Sequence, residues 1–360
     1  MFLKKIRLEQ YRNIASISME PSRHLTILYG INGQGKTNIL ESIYLLGTAR
    51  TFRSGKIPDL ISNGFTKSNL HGIVKSAEVE NEIHLQLENN SRRFSINGKN
   101  IHSSATLYGK LPVVIFSPDD TAMIKLGPET RRRYLDRSLY ASCSGFLQDY
   151  QNYYRTLKQR NALLKTNKYV TLELWTEQLA DAGVLIMKDR QRYLIRLQEL
   201  LQKNYRSISG KDEKVEIEYK PDVPANFLAV LFQQLEQDKR FRNTGRGPHR
   251  DDILFLIDDK PLKVYGSQGQ QRSFVLALKM AEMDYLKETF GELPVLLLDD
   301  IASELDRERM MNLLTFVRQQ ELQVLITTTD INHFLPAVQN DSRVFRVEGG
   351  RLIDEGTLTK

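Results

Sequence analysis

The chain has 360 residues, 41% of them hydrophobic and 26% charged, a balance that fits one large soluble globular domain or two smaller ones. Lys and Arg number 51 against 44 Asp and Glu, and the formal net charge of +7 permits a polyanionic partner without requiring one. A single cysteine, Cys143, excludes an internal disulfide framework and a multi-cysteine zinc site, and reads as a packed small hydrophobe.

The N-terminal stretch MFLKKIRLEQYRNI carries charges every few residues and has no apolar signal core. No segment reaches the ~20 apolar residues of a membrane helix, so a cytoplasmic location is expected. FLKKIRLEQY and ASISMEP alternate as strands do, and HLTILYG is a short apolar strand ending on Gly30. KTNILESIYLLG then spaces Ile39, Ile43 and Leu46 as a helix, with Gly47 where a C-terminal cap would sit. Residues 70–97 read as a meander, with a hairpin signal at Asn97-Gly98, and LPVVIF (111–116) as a buried strand.

From Gly127 the character changes. Pro128 suits a first helical turn, and residues 146–206, free of proline, read as two long helices. That block holds 11 Lys and Arg against 6 acids, yet Leu157, Leu164, Leu179, Ile186, Leu194, Leu197 and Leu201 recur at helical spacing. KVEIEYK is expected as a strand, 224–240 as a helix, and DILFLIDDKPLKVY as a hairpin around Asp258-Asp259. The last ninety residues alternate helix and strand and end in a hairpin at RVFRVEGGRLIDEG, the pattern of a parallel sheet in an α/β domain.

The stretch YGINGQGKTN contains G-x-x-x-x-G-K-[ST] between an apolar strand and a helix, the setting in which such a loop cradles phosphate. The candidate nucleotide contacts are Gly30, Ile31, Asn32, Gly33, Gln34, Gly35, Lys36, Thr37 and Asn38. The glycines let backbone N–H groups turn inward, and the helix N-terminus adds partial positive charge. Lys36 reaches the β- and γ-phosphates of ATP, and the Thr37 hydroxyl ligates Mg²⁺. A second carboxylate for the metal comes from PVLLLDD, where two aspartates close a buried strand. Asp299 would hold Mg²⁺ through water, and Asp300 would orient or deprotonate the attacking water.

Upstream, Ser267, Gln268, Gly269 and Gln270 precede a helix. Taken alone they fit equally an anion-facing helix N-terminus and an ordinary helix start with a serine cap. Their place in the chain decides more. A phosphate loop, a long insertion, S-x-G-Q before a helix, an apolar strand with Asp-Asp and then SELD (303–306) follow in that order. With LEQYRNI, SPDD (117–120) and GPHRDD (247–252), the whole chain resembles the RecF family, in the SMC/Rad50-like branch of ABC-type ATPases.

The resemblance implies an α/β fold, an ABC-type P-loop ATPase head with a mixed and parallel sheet core, a second largely helical lobe and no long coiled coil. Lobe I would comprise 1–117 and 291–360, and lobe II 118–290. Residues 146–206 allow a helical hairpin of order 40 Å. Two ATPs would be sandwiched in a head-to-tail homodimer, with Ser267 and Gly269 meeting the partner's γ-phosphate and Gln270 among the nucleotide-binding residues. Arg12 and Asn13 would sit near their own subunit's nucleotide, and Asp306 at the dimer seam. The implied role is an ATP-dependent, sequence-independent binder of gapped duplex DNA that helps load recombinase, with RecR and RecO as partners and RecA downstream.

Two departures separate the chain from transporter ATPases, which carry Glu at the place of Asp300 and His after the next strand. Here that strand continues ITTTD, leaving Thr328 and Thr329 as candidate γ-phosphate sensors, and FSPDD occupies the usual Q-loop region. Slow hydrolysis used as a switch follows. Three basic features compete for DNA: Arg131–Arg133, the 146–206 block and KRFRNTGRGPHR (239–250). The rival readings are an ATPase subunit of a membrane transporter and the ATPase half of an OLD-like nuclease. This chain lacks the Glu and His that the first would carry, and its 360 residues are expected to leave no room for the second's catalytic domain.

Overall fold

Alternating apolar residues place the first strands: β1 (Phe2–Tyr11) and β2 (Ile14–Met19) bury every second side chain or nearly so, and β3 (Leu25–Tyr29) is buried almost throughout. Helix α1 (Lys36–Thr48) follows, then β4 (Lys67–Ser76), β5 (Val79–Glu88), β6 (Ser91–Ile96), β7 (Lys99–Ile101) and β8 (Val113–Phe116). The helical stretch runs through α2 (Pro118–Lys125), α3 (Pro128–Ser142), α4 (Phe146–Thr166) and α5 (Leu172–Ser209). Next come β9 (Val215–Lys220), α6 (Phe227–Gln233), α7 (Leu235–Phe241), β10 (Asp252–Ile257), β11 (Lys260–Pro261) and α8 (Leu262–Tyr265). The chain closes with α9 (Gln268–Phe290), β12 (Val295–Leu298), α10 (Ile301–Glu304), α11 (Arg307–Gln319), β13 (Val324–Thr328), β14 (Arg343–Glu348) and β15 (Arg351–Asp354). The computed structural model describes all residues except 54, 78, 102, 103, 305, 306, 321, 335–340 and 357–360.

The chain divides into two units, one of residues 1–121, 207–210 and 272–360, the other of 122–206 and 211–271. The first unit holds two six-stranded sheets. One is antiparallel, in the order β2-β1-β4-β5-β6-β7; the other runs β15-β14-β3-β13-β12-β8 and is parallel except for β15. Helix α1 shares one core with both: its Ile39, Leu40, Ile43 and Leu46 cluster with Leu8, Leu70 and Leu85 of one sheet and with Val113, Leu297 and Leu325 of the other. From Ile39 to Leu46 every side chain of α1 is buried, as a helix covered on two sides requires.

Gly47 is not the cap of α1. It lies inside the helix, where a Cβ would stand 2.4 Å from Leu111 O and 2.6 Å from Val113 Cγ2, so its role is close approach to β8. The helix ends at Ala49, left-handed at φ 57°, whose N–H bonds Leu45 O.

The second unit is mainly helical with a small antiparallel sheet, β11-β10-β9. The long α5 has 38 residues. It therefore spans about 57 Å, longer than the 40 Å expected, yet far short of a coiled-coil tether. The expected helix over 224–240 is interrupted at Gln234, which ends α6 and begins α7. The hairpin at Asp258-Asp259 forms, both residues having positive φ, but its second strand is only Lys260–Pro261 before the chain turns helical.

Two of the block's basic residues are interior. Arg190 bonds Asp136, Asp251 (2.7 Å) and Pro248 O (2.8 Å), and Arg160 bonds Asp238 (2.7 Å), Thr244 (2.7 Å) and Thr176 (3.0 Å). GPHRDD is thus largely a structural knot. Tyr219 donates to Asp251, Arg131 grips Asp252 in a bidentate pair (2.8 and 2.9 Å), and Arg132 donates to Asp251 O (2.6 Å). Such a buried charge is tolerable only because each is paired and hydrogen-bonded. Among the described residues no helix is long and apolar enough to cross a membrane.

Candidate phosphate-binding site

In the parallel sheet, Tyr29 of β3 is level with Thr328 of β13, and Leu298 of β12 with Ile326 of β13. The register brings the C-terminal ends of three strands together, so that Gly30, Asp299 and Thr327 converge at one edge, the usual place for ligands in open α/β sheets. The loop that leaves β3 has Gly30, Gly33 and Gly35 at φ 152°, 81° and 111°, a conformation other residues rarely adopt. At Gly30 a Cβ would also meet Val347 O at 2.4 Å, and at Gly35 it would meet Asn13 Oδ1 at 2.8 Å.

Lys36 is buried, and its ammonium donates to Gly30 O (2.6 Å) and Ile31 O (2.9 Å). Burial pushes its pKa down, while Asp300 and Asp299 pull it up. Thr37 Oγ1 donates to Asp299 Oδ1 at 2.8 Å, and Thr327 Oγ1 donates to the same oxygen at 2.7 Å. Burial raises the Asp299 pKa, against the pull of those two hydroxyls. Asp300 has a left-handed backbone (φ 48°), and its N–H donates to Thr327 Oγ1 at 2.9 Å.

Mg²⁺ demands hard oxygen donors at about 2.1 Å, which places adjacent ligands about 3 Å apart. Thr37 Oγ1 and Asp299 Oδ1 already stand at 2.8 Å, so the pair fits that ion, with phosphate and water completing the shell. Among the described residues there is no group of three or more His, Cys, Asp or Glu that could hold a metal ion.

The loop is braced from two sides. Asn13 donates to Gly33 O (3.3 Å) and accepts from Asn38 Nδ2 (2.7 Å), so it touches the loop itself. Arg12 instead pairs with Glu41 (Nη2 to Oε1, 2.7 Å). From the other side, Gly349 N donates to Gln34 Oε1 (2.5 Å) and Gly350 N to Gln34 O (3.0 Å). Ile31, Asn32 and Gly33 are exposed at the loop's tip.

Three contributors were not visible in the sequence. Thr327, rather than Thr328 or Thr329, faces the aspartates; the Thr328 hydroxyl donates to Asp330 O (2.9 Å), and Thr329 is exposed. Arg53 donates to Asn38 Oδ1 (2.9 Å) and lies near enough to pull the Asp299 pKa down. In sequence the Gly349-Gly350 turn marks only a hairpin. No motif marks any of the three: Thr327 and the Gly349-Gly350 turn come from strands remote in sequence, and Arg53 from the turn after α1.

Ser267, Gly269 and Gln270 belong to the second unit. Gln270 N donates to Ser267 Oγ (3.2 Å) and Ser267 N to Gln270 Oε1 (2.7 Å), a reciprocal cap of α9. Ser267 is exposed. Asp306 lies outside the described residues. Of the basic features, Arg131 and Arg132 are taken up internally, Arg133 pairs with Glu129, and Arg240, Arg242 and Arg250 remain exposed.

Residues 2–352 match the model of the RecF/RecN/SMC N terminal domain. The chain is 63% identical to the DNA replication and repair protein RecF of Trichlorobacter lovleyi, all of both chains being covered. It is 41% identical to the protein of the same name from Geobacter sp. strain M21, over 98% of this chain and 100% of the relative. A solved structure of the recombination mediator protein RecF-ATPrS in the RecFOR pathway superposes with a TM-score of 0.88 at 34% identity, covering 99% of this chain and 98% of that one. Phosphate loop, paired aspartates and end-to-end similarity agree: the chain belongs to the RecF family.

Proposed function

We propose that the chain is an ATP-switched DNA-binding factor of recombinational repair and replication. The observation that carries this reading is the Thr37–Asp299 contact at 2.8 Å, which unites the two halves of a nucleotide and Mg²⁺ site. Lys36 and the N–H groups of residues 30–37 hold the β- and γ-phosphates of ATP. Thr37 and Asp299 hold Mg²⁺, which when bound neutralises charge on the phosphate oxygens. Asp300 orients the attacking water and accepts its proton.

Ser267, Gly269 and Gln270 complete the site of a second protomer in a head-to-tail homodimer, while Arg12 and Asn13 serve the nucleotide of their own subunit. Lobe I, residues 1–117 and 291–360, carries the phosphate loop and Asp299; lobe II, 118–290, carries the signature. Hydrolysis is slow, because the Asp300 carboxylate is one methylene shorter than the glutamate of transporter ATPases, and DNA stimulates it. The protein works in the cytoplasm beside RecR and RecO, at gapped duplex DNA where RecA is loaded. Membership of the RecF family favours this role over a transporter subunit or a nuclease.

DNA contact through exposed Arg and Lys neutralises phosphates without reading bases, and it weakens steeply with salt. The test is duplex DNA affinity with and without ATP over a series of salt concentrations. ATP should tighten binding, with a negative salt slope; affinity indifferent to both would overturn the reading.

A further inference from the structure

Glu41 is the one carboxylate of α1 and is completely buried. It sits among Ile39, Leu40 and Ile43, one turn beyond Thr37, at a position an apolar side chain could fill. Its oxygens are saturated by four donors. Oε2 accepts from Tyr11 OH (3.0 Å) and Arg12 Nε; Oε1 accepts from Arg12 Nη2 (2.7 Å) and Thr51 Oγ1. A buried ion pair is commonly no more stabilising than a well-packed apolar substitute, so stability alone is a weak reason for this arrangement.

What the carboxylate holds is more informative. Tyr11 and Arg12 lead into the β1–β2 turn, where Arg12 is left-handed at φ 52° and Asn13 reaches the phosphate loop. Thr51 lies in the segment after α1, and its hydroxyl, whose one proton goes to Glu41, accepts from Arg53 N (3.1 Å). Asn13 and Arg53 then meet on one side chain: Asn38 donates to Asn13 Oδ1 (2.7 Å) and accepts from Arg53 Nη1 (2.9 Å). Two segments that have no covalent reason to stay together are thereby pinned to the first turn of α1 from a single buried anchor.

We infer that Glu41 is a positioning residue for the nucleotide: through Arg12 and Thr51 it fixes the two turns that place Asn13 and Arg53 against Asn38 and the phosphate loop. The inference rests on the reading of residues 30–37 as an ATP site. Its action is exerted before the chemical step, on the shape of the empty loop, so its loss is felt in ATP affinity. A misplacement of supporting groups by about 1 Å can cost tenfold to a hundredfold in such sites.

The experiment titrates the full chain with a fluorescent ATP analogue and measures ATP turnover and thermal unfolding in parallel. Glu41→Gln keeps the shape and removes the charge that holds Arg12. It should weaken ATP binding and raise KM about tenfold, with kcat at saturating ATP within about threefold. Combined with Asn13→Ala, it should cost less than the product of the two single effects, because both act through one contact chain. A lowered unfolding temperature with unchanged ATP affinity, or strictly multiplicative effects, would overturn the inference. If Glu41→Gln does not fold, Thr51→Val decides: weaker ATP binding supports the inference and unchanged binding overturns it. Lys36→Ala separates the two levels. ATP binding that survives Lys36→Ala would bring down the site itself, whereas its loss beside an intact affinity in Glu41→Gln would bring down only the role of Glu41.

Discussion

Thr37 Oγ1 and Asp299 Oδ1 lie 2.8 Å apart although 262 residues separate them in the chain. Asp299 is buried, and burial already works against its charge. Asp299→Asn should therefore fold with an unchanged or higher unfolding temperature, since it removes a desolvated carboxylate of nearly the same shape. ATP cleavage in a single turnover should fall at least about 100-fold, the scale on which one electrostatic contact to a transition state is lost. Single-turnover assays and a melting curve on the same preparation check both halves.

In the proposed mechanism Asp300 would set how fast the switch resets. Its left-handed backbone and the bond from its N–H to Thr327 Oγ1 hold the main chain in place at this position, so that side-chain length bears directly on reach. Asp300→Glu adds one methylene and should accelerate single-turnover hydrolysis, while Asp300→Asn should nearly abolish it. An unchanged rate in Asp300→Glu would show that carboxylate reach does not limit turnover.

The second unit carries a pH dependence of its own. His249 is largely buried, with Nδ1 facing Tyr153 OH (2.6 Å) and Nε2 facing Thr244 O (3.2 Å). Those partners fit a neutral ring that accepts at Nδ1 and donates at Nε2. Burial pushes its pKa from 6.5 down to about 4. A depressed histidine contributes stability that is complete above its unfolded pKa and is lost as pH falls from about 6.5 toward 4. The loss between pH 7.5 and pH 5 should be about 2 kcal/mol. Urea unfolding at the two pH values should show a fall in unfolding free energy that is smaller in His249→Asn by that amount.

What the sequence disclosed was local. The phosphate loop, the aspartate pair and the two long helices each lie within one continuous stretch, whose spacing carries its own physical meaning. Partner choice was not local: FLKKIRLEQY alternates and HLTILYG is a continuous apolar run, but neither says which strands it pairs with. Thr327 and Arg53 were missed for the same reason, since only the register of β13 with β12 and the turn after α1 bring them to the site.

Gly47 was misread because a glycine near a helix end has two uses, cap and close approach, and only the position of β8 separates them. The basic block misled in a more useful way. Arg160 falls between Leu157 and Leu164, and Arg190 between Ile186 and Leu194, so both stand on the apolar stripe. An arginine in that register was already a sign of a buried ion pair rather than a DNA-facing charge.

The most direct test of ATP-driven assembly is light scattering of the full chain with ATP and DNA, beside Lys36→Met and Ser267→Arg. The unaltered chain should double in mass when ATP is added, and both variants should remain monomeric, Lys36→Met for want of nucleotide and Ser267→Arg for want of a closed interface. Dimerisation of both variants with ATP would contradict the shared site.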